Sequence, residues 1–395
     1  MNTAQEPENS CEAVSPFRIL LAPDKFKGSL SALEVAGWLE SGLISDGGKR
    51  TIYCRSLPLA DGGDGSVQAV LEAGFRPFTV KVPGPTGIPA ATIVALDGFT
   101  AVVEAATTVG LQMLPGGRLA PLASSSNGFG EAVRAAHGRG PRRIVLALGG
   151  SATTDGGAGM LSGLGAQFFN GSGEVFVPCG GNLKDITRID LVGLCDLSGV
   201  DLIAANDVQN PLLGPTGTAA VYGPQKGAAP SDVVILEEGL ANLVNRLDEA
   251  GLPGTSCALS PGAGSAGGLG YAALLLGARM VSGADFFMDL LGFEQALKDC
   301  DLVITGEGKM DDQTLSGKLP LVVARRSMPV PVIAVVGHNA LEKDRMPEYN
   351  IQQIYSLSNM TDQDSAIDSA LSARLLTAVG RQISQTLERA RGVRR

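Results

Sequence analysis

The sequence is poor in the residues that build most metal and redox centres. It has two histidines, His137 and His338, and six cysteines, Cys11, Cys54, Cys179, Cys195, Cys257 and Cys300, with no CxxC pair. A multi-histidine metal centre is excluded, and the cysteine spacing argues against both a zinc site and a disulfide scaffold. A Ser-His-Asp hydrolase would have to rest on one of the two histidines. No stretch reaches the roughly 18 uninterrupted apolar residues of a bilayer span. The opening MNTAQEPENSCEAVSP has neither the basic start nor the apolar run of a secretory signal. It reads as a disordered tail over residues 1–16, and the expected location is the cytoplasm. Basic charge is also scarce. Lysine and arginine total 31 against 40 acidic residues, a net charge of −9 that disfavours a nucleic-acid partner. A small anion is compatible with this balance, because a local nest of N–H groups and a few lysines outweighs a screened distant field. Neither a Walker A motif nor the protein-kinase loops occur, so a nucleotide site here would belong to another class.

What the chain has in excess is glycine, 53 of 395 residues, about 13% where roughly 7% is usual. The glycines cluster. Short apolar runs at residues 18–22, 143–148, 201–205, 301–305 and 331–336 each end in a loop of Gly, Asp, Asn, Ser and Lys. Runs of four to six apolar residues without alternation suit strands buried on both faces, hence a parallel sheet covered by helices. Ser31 and Glu34 form a capping box ahead of a helix that places Val35, Trp38 and Leu39 on one face. Further helices are expected at 131–136, 232–249, 272–280 and 365–390. Strand, polar loop, helix, strand is the doubly wound pattern, in which ligands bind beyond the carboxyl ends of the strands. Residues 82–122 differ: Pro-Gly turns, a TIVAL run and an Asp97-Gly98 turn suggest antiparallel pairing and the start of a second, inserted domain.

Five segments have chemistry in them. In PDKFKGSLSALE, Lys25 and Lys27 precede a helix start, where free N–H groups and a partial positive charge favour an anion; a capped turn with solvated lysines is the plainer account. In ADGGDGS, Asp61 and Asp64 sit at another helix start, which the helix dipole alone explains; they are also candidates for Mg²⁺, which prefers a few carboxylates and retains water. GGSATTDGGAG lets backbone N–H groups approach phosphate closely, and its Asp155 calls for a metal or a substrate hydroxyl. PGAGSAGGLG contains a GxGxxG at Gly262, Gly264 and Gly267, with Asp285 about 20 residues on. A proline and a poor strand precede it, so its context is wrong for a dinucleotide fingerprint. GEGKMDDQTLSGK packs Glu307, Lys309, Asp311, Asp312, Gln313, Thr314 and Lys318 behind a buried run. Phosphoryl transfer needs such a mixture of cations, metal carboxylates and a group that orients the attacking hydroxyl.

These segments, with NDVQNPLLG and YGPQKGA between them, resemble in sequence and order the motifs of the bacterial class I glycerate kinases over about residues 17–390. The resemblance implies two α/β domains, one a doubly wound parallel-sheet (flavodoxin/Rossmann-like) domain with the second inserted, and the active cleft between them. The expected division is 17–80 plus 285–395 for the discontinuous domain and 81–284 for the inserted one. It further implies transfer of the ATP γ-phosphate to D-glycerate with Mg²⁺, giving 2-phosphoglycerate, with the 3-phosphate as the alternative product. The setting it implies is glyoxylate metabolism in the cytoplasm, without membrane or nucleic-acid partners, as a monomer or homodimer. Against the family pattern, Asn206 stands where many relatives have Cys, Gln209 where they have Thr, Tyr222 for Phe and Lys309 for Arg. None of these removes an acid or a base, although Lys309 lacks the bidentate fork of arginine.

Candidate roles follow. Asp207 or Asp311 orients the substrate hydroxyl, and Lys25 is grouped with them as catalytic. Asp24, Lys27, Ser29, Lys226, Lys309, Gln313, Thr314 and Lys318 bind substrate or phosphate. Gly149, Gly150, Ser151 and Asp155, with Gly262, Gly264 and Gly267, form the phosphate loops. Asp61, Asp64 and Glu307 are the metal candidates. Two rivals are a nicotinamide-dependent hydroxy-acid oxidoreductase, resting on the GxGxxG, and a non-catalytic sensor, for which no effector segment is visible.

Overall fold

The computed structural model describes residues 16–45, 51–315, 317–341 and 348–392. The expected tail lies outside this range except for Pro16, as does the side chain of Gln313. The chain forms two compact α/β units, one of residues 1–58, 294–312 and 323–395, the other of 59–293 and 313–322. Residues 59–80, 285–293 and 313–322, read from the sequence with the discontinuous domain, group with the second unit. The reason is packing: Ala60, Val67 and Val70 share a core with Val102, Val145, Ala205 and Phe287, and Arg76–Pro83 is an edge strand of that unit's sheet.

The first unit holds a five-stranded, all-parallel sheet in the order Ile351–Ser356, Val332–Asn339, Leu302–Met310, Phe17–Pro23, Ile52–Ser56. Numbered within the unit, this is the flavodoxin-like order 2-1-3-4-5. Ile19 pairs with Leu302, and Leu21 with Ile304. Ile19, Leu21, Ile304 and Val335 face Val35 and Leu39 of helix Ala32–Ile44 and Leu376 and Val379 of helix Ser369–Gly392. The alternate residues Leu20, Ala22, Val303 and Ala334 are equally buried, so both faces of the sheet are covered. The Ser31–Glu34 capping box forms as the sequence predicts. Trp38 does not join the apolar face and is 41% exposed. At about 100° per residue it lies on the flank of the stripe made by Val35, Leu39, Gly42 and Leu43. Gly42 and Gly380 let the two helices touch backbone to backbone; a Cβ on Gly42 would lie 2.1 Å from Thr377 O.

The second unit is built on a six-stranded mixed sheet in the order Arg279–Val281, Asp201–Ala205, Arg143–Ala147, Thr100–Glu104, Pro89–Leu96, Arg76–Pro83. The first four are mutually parallel and the last two antiparallel. The antiparallel hairpin expected after residue 82 starts earlier, with Arg76 paired to Leu96. The helix expected over 272–280 ends at Leu275, because Gly277 turns left-handed at φ 81°, and Arg279–Val281 joins the sheet edge instead. A small antiparallel sheet of Val175–Phe176, Gln167–Phe169 and Arg188–Asp190 stands apart from it. Among the described residues, no helix is long and apolar enough to cross a membrane.

Candidate functional site

Four parallel strands of the six-stranded sheet deliver their carboxyl ends to one rim. Thr100–Glu104 ends on Glu104, Arg143–Ala147 opens into Gly149–Gly159, Asp201–Ala205 into Asn206–Asp207, and Arg279–Val281 into Ser282–Gly283. Asp207 accepts a hydrogen bond from Gly283 N–H at 3.0 Å, at the start of helix Gly283–Leu290. Among the described residues no hydrogen bond of ordinary geometry reaches its other, buried oxygen, Oδ2, although the Ser282 hydroxyl and Ala284 N–H lie close enough to temper the carboxyl's pKa. Burial, with the Asp61 carboxylate beside it, pushes the Asp207 carboxyl up to about 6. The Asp61 loop is seated by glycines: a Cβ on Gly283 would fall 1.9 Å from Asp61 O, and one on Gly149 would fall 2.5 Å from the Gly63 Cα. Glu104, almost fully buried, accepts from Gly65 N–H and Val67 N–H at 3.2 and 2.8 Å and so fixes the loop that contains Asp64.

The two glycine loops interlock. Gly156 N–H donates to Gly267 O at 3.0 Å, and a Cβ on Gly267 would fall 1.7 Å from Thr153 O. Gly264 N–H donates to Asn210 O at 2.9 Å, joining the 206–211 loop to the same knot. Lys226 is 4% exposed, and its Nζ donates to Thr153 O at 2.6 Å and to Ser151 Oγ at 3.1 Å. Burial pulls this ammonium down to about 7, with the Asp155 charge acting the other way. Asp155 has a structural position: its buried carboxylate accepts from Ser126 N–H, Ser126 Oγ, Gly157 N–H and Gly159 N–H at 2.7–3.2 Å. Burial raises its pKa while those donors oppose the rise. The segment ahead of Gly262 is the helix Gly254–Ala258 rather than a strand, so the structural context of a dinucleotide fingerprint is missing.

On the five-stranded sheet, the switch in strand order lies between Phe17–Pro23 and Leu302–Met310, the place where such sheets bind ligands. Asp24 N–H donates to Gly306 O at 2.8 Å and Lys25 N–H to Asp24 Oδ1 at 2.7 Å. Lys27 is exposed, and Ser29 Oγ donates back to Phe26 O at 3.3 Å. GEGKM is not a loop, as the sequence suggested, but the continuation of a strand: Glu307 pairs with Val336 and Lys309 with His338. The extra residues find a partner because the neighbouring strand Val332–Asn339 runs equally far. The Lys309 ammonium lies 3.3 Å from Asp311. Thr314 is fully buried in the short helix Asp312–Leu315, and Lys318 follows it half-buried.

The family model described as the glycerate kinase family matches residues 19–388. The chain belongs to the glycerate kinase family. It is 39% identical over 352 residues to a glycerate kinase of Bacillus subtilis (strain 168), covering 86% of this chain and 90% of that protein. It is 36% identical over 367 residues to a glycerate 2-kinase of Escherichia coli (strain K12), covering 90% and 94%. A crystal structure of a Salmonella typhimurium LT2 protein, assigned as a glycerate kinase 2, superposes with a TM-score of 0.79 at 35% identity, over 96% of this chain and all of that one. The chain is therefore a kinase enzyme, and the oxidoreductase and sensor readings lose their basis.

Of the candidates in this glycerate kinase family member, Asp61, Asp64, Gly149, Gly150, Ser151, Asp155, Asp207, Lys226, Gly262, Gly264, Gly267, Gln313, Thr314 and Lys318 belong to the second unit. Asp24, Lys25, Lys27, Ser29, Glu307, Lys309 and Asp311 belong to the first. Among the described residues, no three His, Cys, Asp or Glu side chains are grouped to hold a metal. Glu104 and Ser126 were missed from the sequence. A signal for Glu104 existed, an acid ending the apolar run TAVV, whereas Ser126 is linked to Asp155 only by the fold.

Proposed function

We propose that the chain transfers the γ-phosphoryl group of ATP to D-glycerate, with Mg²⁺, forming 2-phosphoglycerate. Family membership and the relative named glycerate 2-kinase support this reading. The observation that carries it is Asp207: a carboxylate just beyond the end of a central strand, held by Gly283 N–H, with one buried oxygen outside any ordinary hydrogen bond among the described residues and a pKa near working pH. Such a group orients a substrate hydroxyl and accepts its proton late in a loose transition state. Asp311, paired with Lys309 at the surface, suits this role less well. Gly149, Gly264 and Ser265 N–H are taken by Gly62 O, Asn210 O and Gly262 O, and backbone N–H groups elsewhere in the Gly149–Ser151 and Gly262–Gly267 loops cradle phosphate. Lys25, Lys27 and Ser29, at the switch point of the other sheet, bind anionic groups, as do Lys309 and Lys318, while the Asp24 carboxylate accepts from Lys25 N–H.

The residues fit a magnesium ion that completes its shell with phosphate and water. Asp61 and Asp207 bring two carboxylates within electrostatic reach, a setting that favours a nearby cation. Asp61 and Asp64 would hold the ion on this rim; Glu307 is a separate candidate on the other sheet. Bound magnesium would neutralise charge on the phosphoryl group. The test is ADP release with purified chain: it should require D-glycerate and ATP together and should cease when EDTA removes divalent ions. ADP release that is indifferent to D-glycerate would refute the proposal.

A further inference from the structure

Among the described residues Lys226 has no ion-pair partner at hydrogen-bond distance, yet it is buried where an ammonium is costly. Burial of a lysine requires compensation, and here it comes from two acceptors on one loop. Thr153 O and Ser151 Oγ take two of its three N–H donors, and the Ser151 hydroxyl passes its own hydrogen to Ala266 O at 2.8 Å. Ala266 is left-handed at φ 53°, ψ 35°, a strained state for a residue with a Cβ. The relay Lys226–Ser151–Ala266 therefore ends on the strained residue of the second glycine loop. Its geometry fixes which way the neighbouring peptide N–H groups point.

We infer that Lys226 is the positioning residue of the nucleotide-phosphate cradle: it latches the Ser151–Thr153 turn to the Ser265–Gly268 turn and acts on phosphate through those backbones. The inference rests on the reading that these loops receive ATP. Few charges modulate it. Asp155 is the only charged side chain between Gly149 and Gly159, and none occurs between Pro211 and Gln225 or between Pro261 and Gly270. Phosphate arriving at the loops would favour the charged latch, so ATP should bind less tightly as pH rises above 7.

The experiment is calorimetric binding of ATP, with magnesium present, to wild type, Lys226→Met and Ser151→Ala at pH 6.5 and 8.5, with a melting curve for each. Loss of a charge-assisted latch should weaken ATP about ten- to hundredfold in Lys226→Met, and the pH dependence seen in wild type should vanish. Ser151→Ala, which keeps the lysine and breaks the relay, should lose about three- to tenfold. Wild-type affinity in Ser151→Ala overturns the inference whatever Lys226→Met does, because a lysine that touches phosphate directly would not need the relay. If Lys226→Met fails to fold, Ser151→Ala and the wild-type pH dependence decide alone. A wild type that binds no ATP refutes the function proposal itself, a result distinct from equal binding by all three proteins.

Discussion

Asp61 lies close enough to Asp207 to raise its carboxyl, and both residues pack on one glycine: Gly283 N–H donates to Asp207 Oδ1, and a Cβ on Gly283 would fall 1.9 Å from the Asp61 backbone oxygen. Two carboxylates are thus brought together by the start of one helix. Charge repulsion disfavours such a pair and favours a cation or a substrate proton beside it.

The pair predicts a division of labour between the two candidate acids. Asp207→Asn, assayed at saturating ATP and D-glycerate, should lose roughly a hundredfold or more in kcat, the usual contribution of a positioned general base. Asp311→Asn weakens a partly exposed pair with Lys309, and should stay within a few-fold of wild type. Near-equal kcat values for the two variants would contradict the assignment.

The interlocked loops predict that glycine positions differ sharply in tolerance. Gly267→Ala drives a Cβ to 1.7 Å from Thr153 O at φ 76°, and should cost at least about 3 kcal/mol in urea unfolding and abolish ATP binding. Gly74→Ala, with φ 103° and nothing within 4 Å, should cost only about 1–2 kcal/mol and leave binding intact. Similar losses at both sites would show that backbone conformation, not loop contact, sets the demand.

Lys226 also predicts a pH effect on stability in the absence of ligand. Its folded pKa is lowered from the ordinary 10.5 to about 7. Between those values the unfolded chain holds a proton that the folded chain has released, so folding gains as pH rises. Below about 7 both states are charged and the burial penalty is fully felt. Relative to Lys226→Met, wild type should therefore gain about 1 kcal/mol per pH unit between pH 7.5 and 9 in urea unfolding. A constant difference across that window would place the ammonium in a better-solvated setting than the structure shows.

Much of this was legible in the chain. Unalternating runs such as Arg18–Ala22 and Asp201–Ala205 announced buried parallel strands, because alternation disappears only when both faces are covered. The polar loops after them marked the two rims. The sequence misled where partners decide. GEGKM reads as a glycine loop, yet a neighbour of matching length makes it a strand. Met280 reads as helix because a three-residue edge strand is too short to show a period. Asp155 reads as a ligand, since nothing local reveals that Ser126, 29 residues earlier, would occupy it. Lys226 reads from the sequence as an anion-binding lysine, and nothing local reveals that its donors face Thr153 and Ser151.

The most direct measurement is a proton-coupled phosphorus NMR spectrum of the product made from ATP and D-glycerate. Phosphate on the 2-hydroxyl couples to the single proton of that carbon and gives a doublet; phosphate on the 3-hydroxyl couples to a methylene and gives a triplet. A new doublet appearing with ADP is the predicted result. A triplet would contradict the 2-position, and the absence of any new phosphate ester would contradict glycerate as the acceptor.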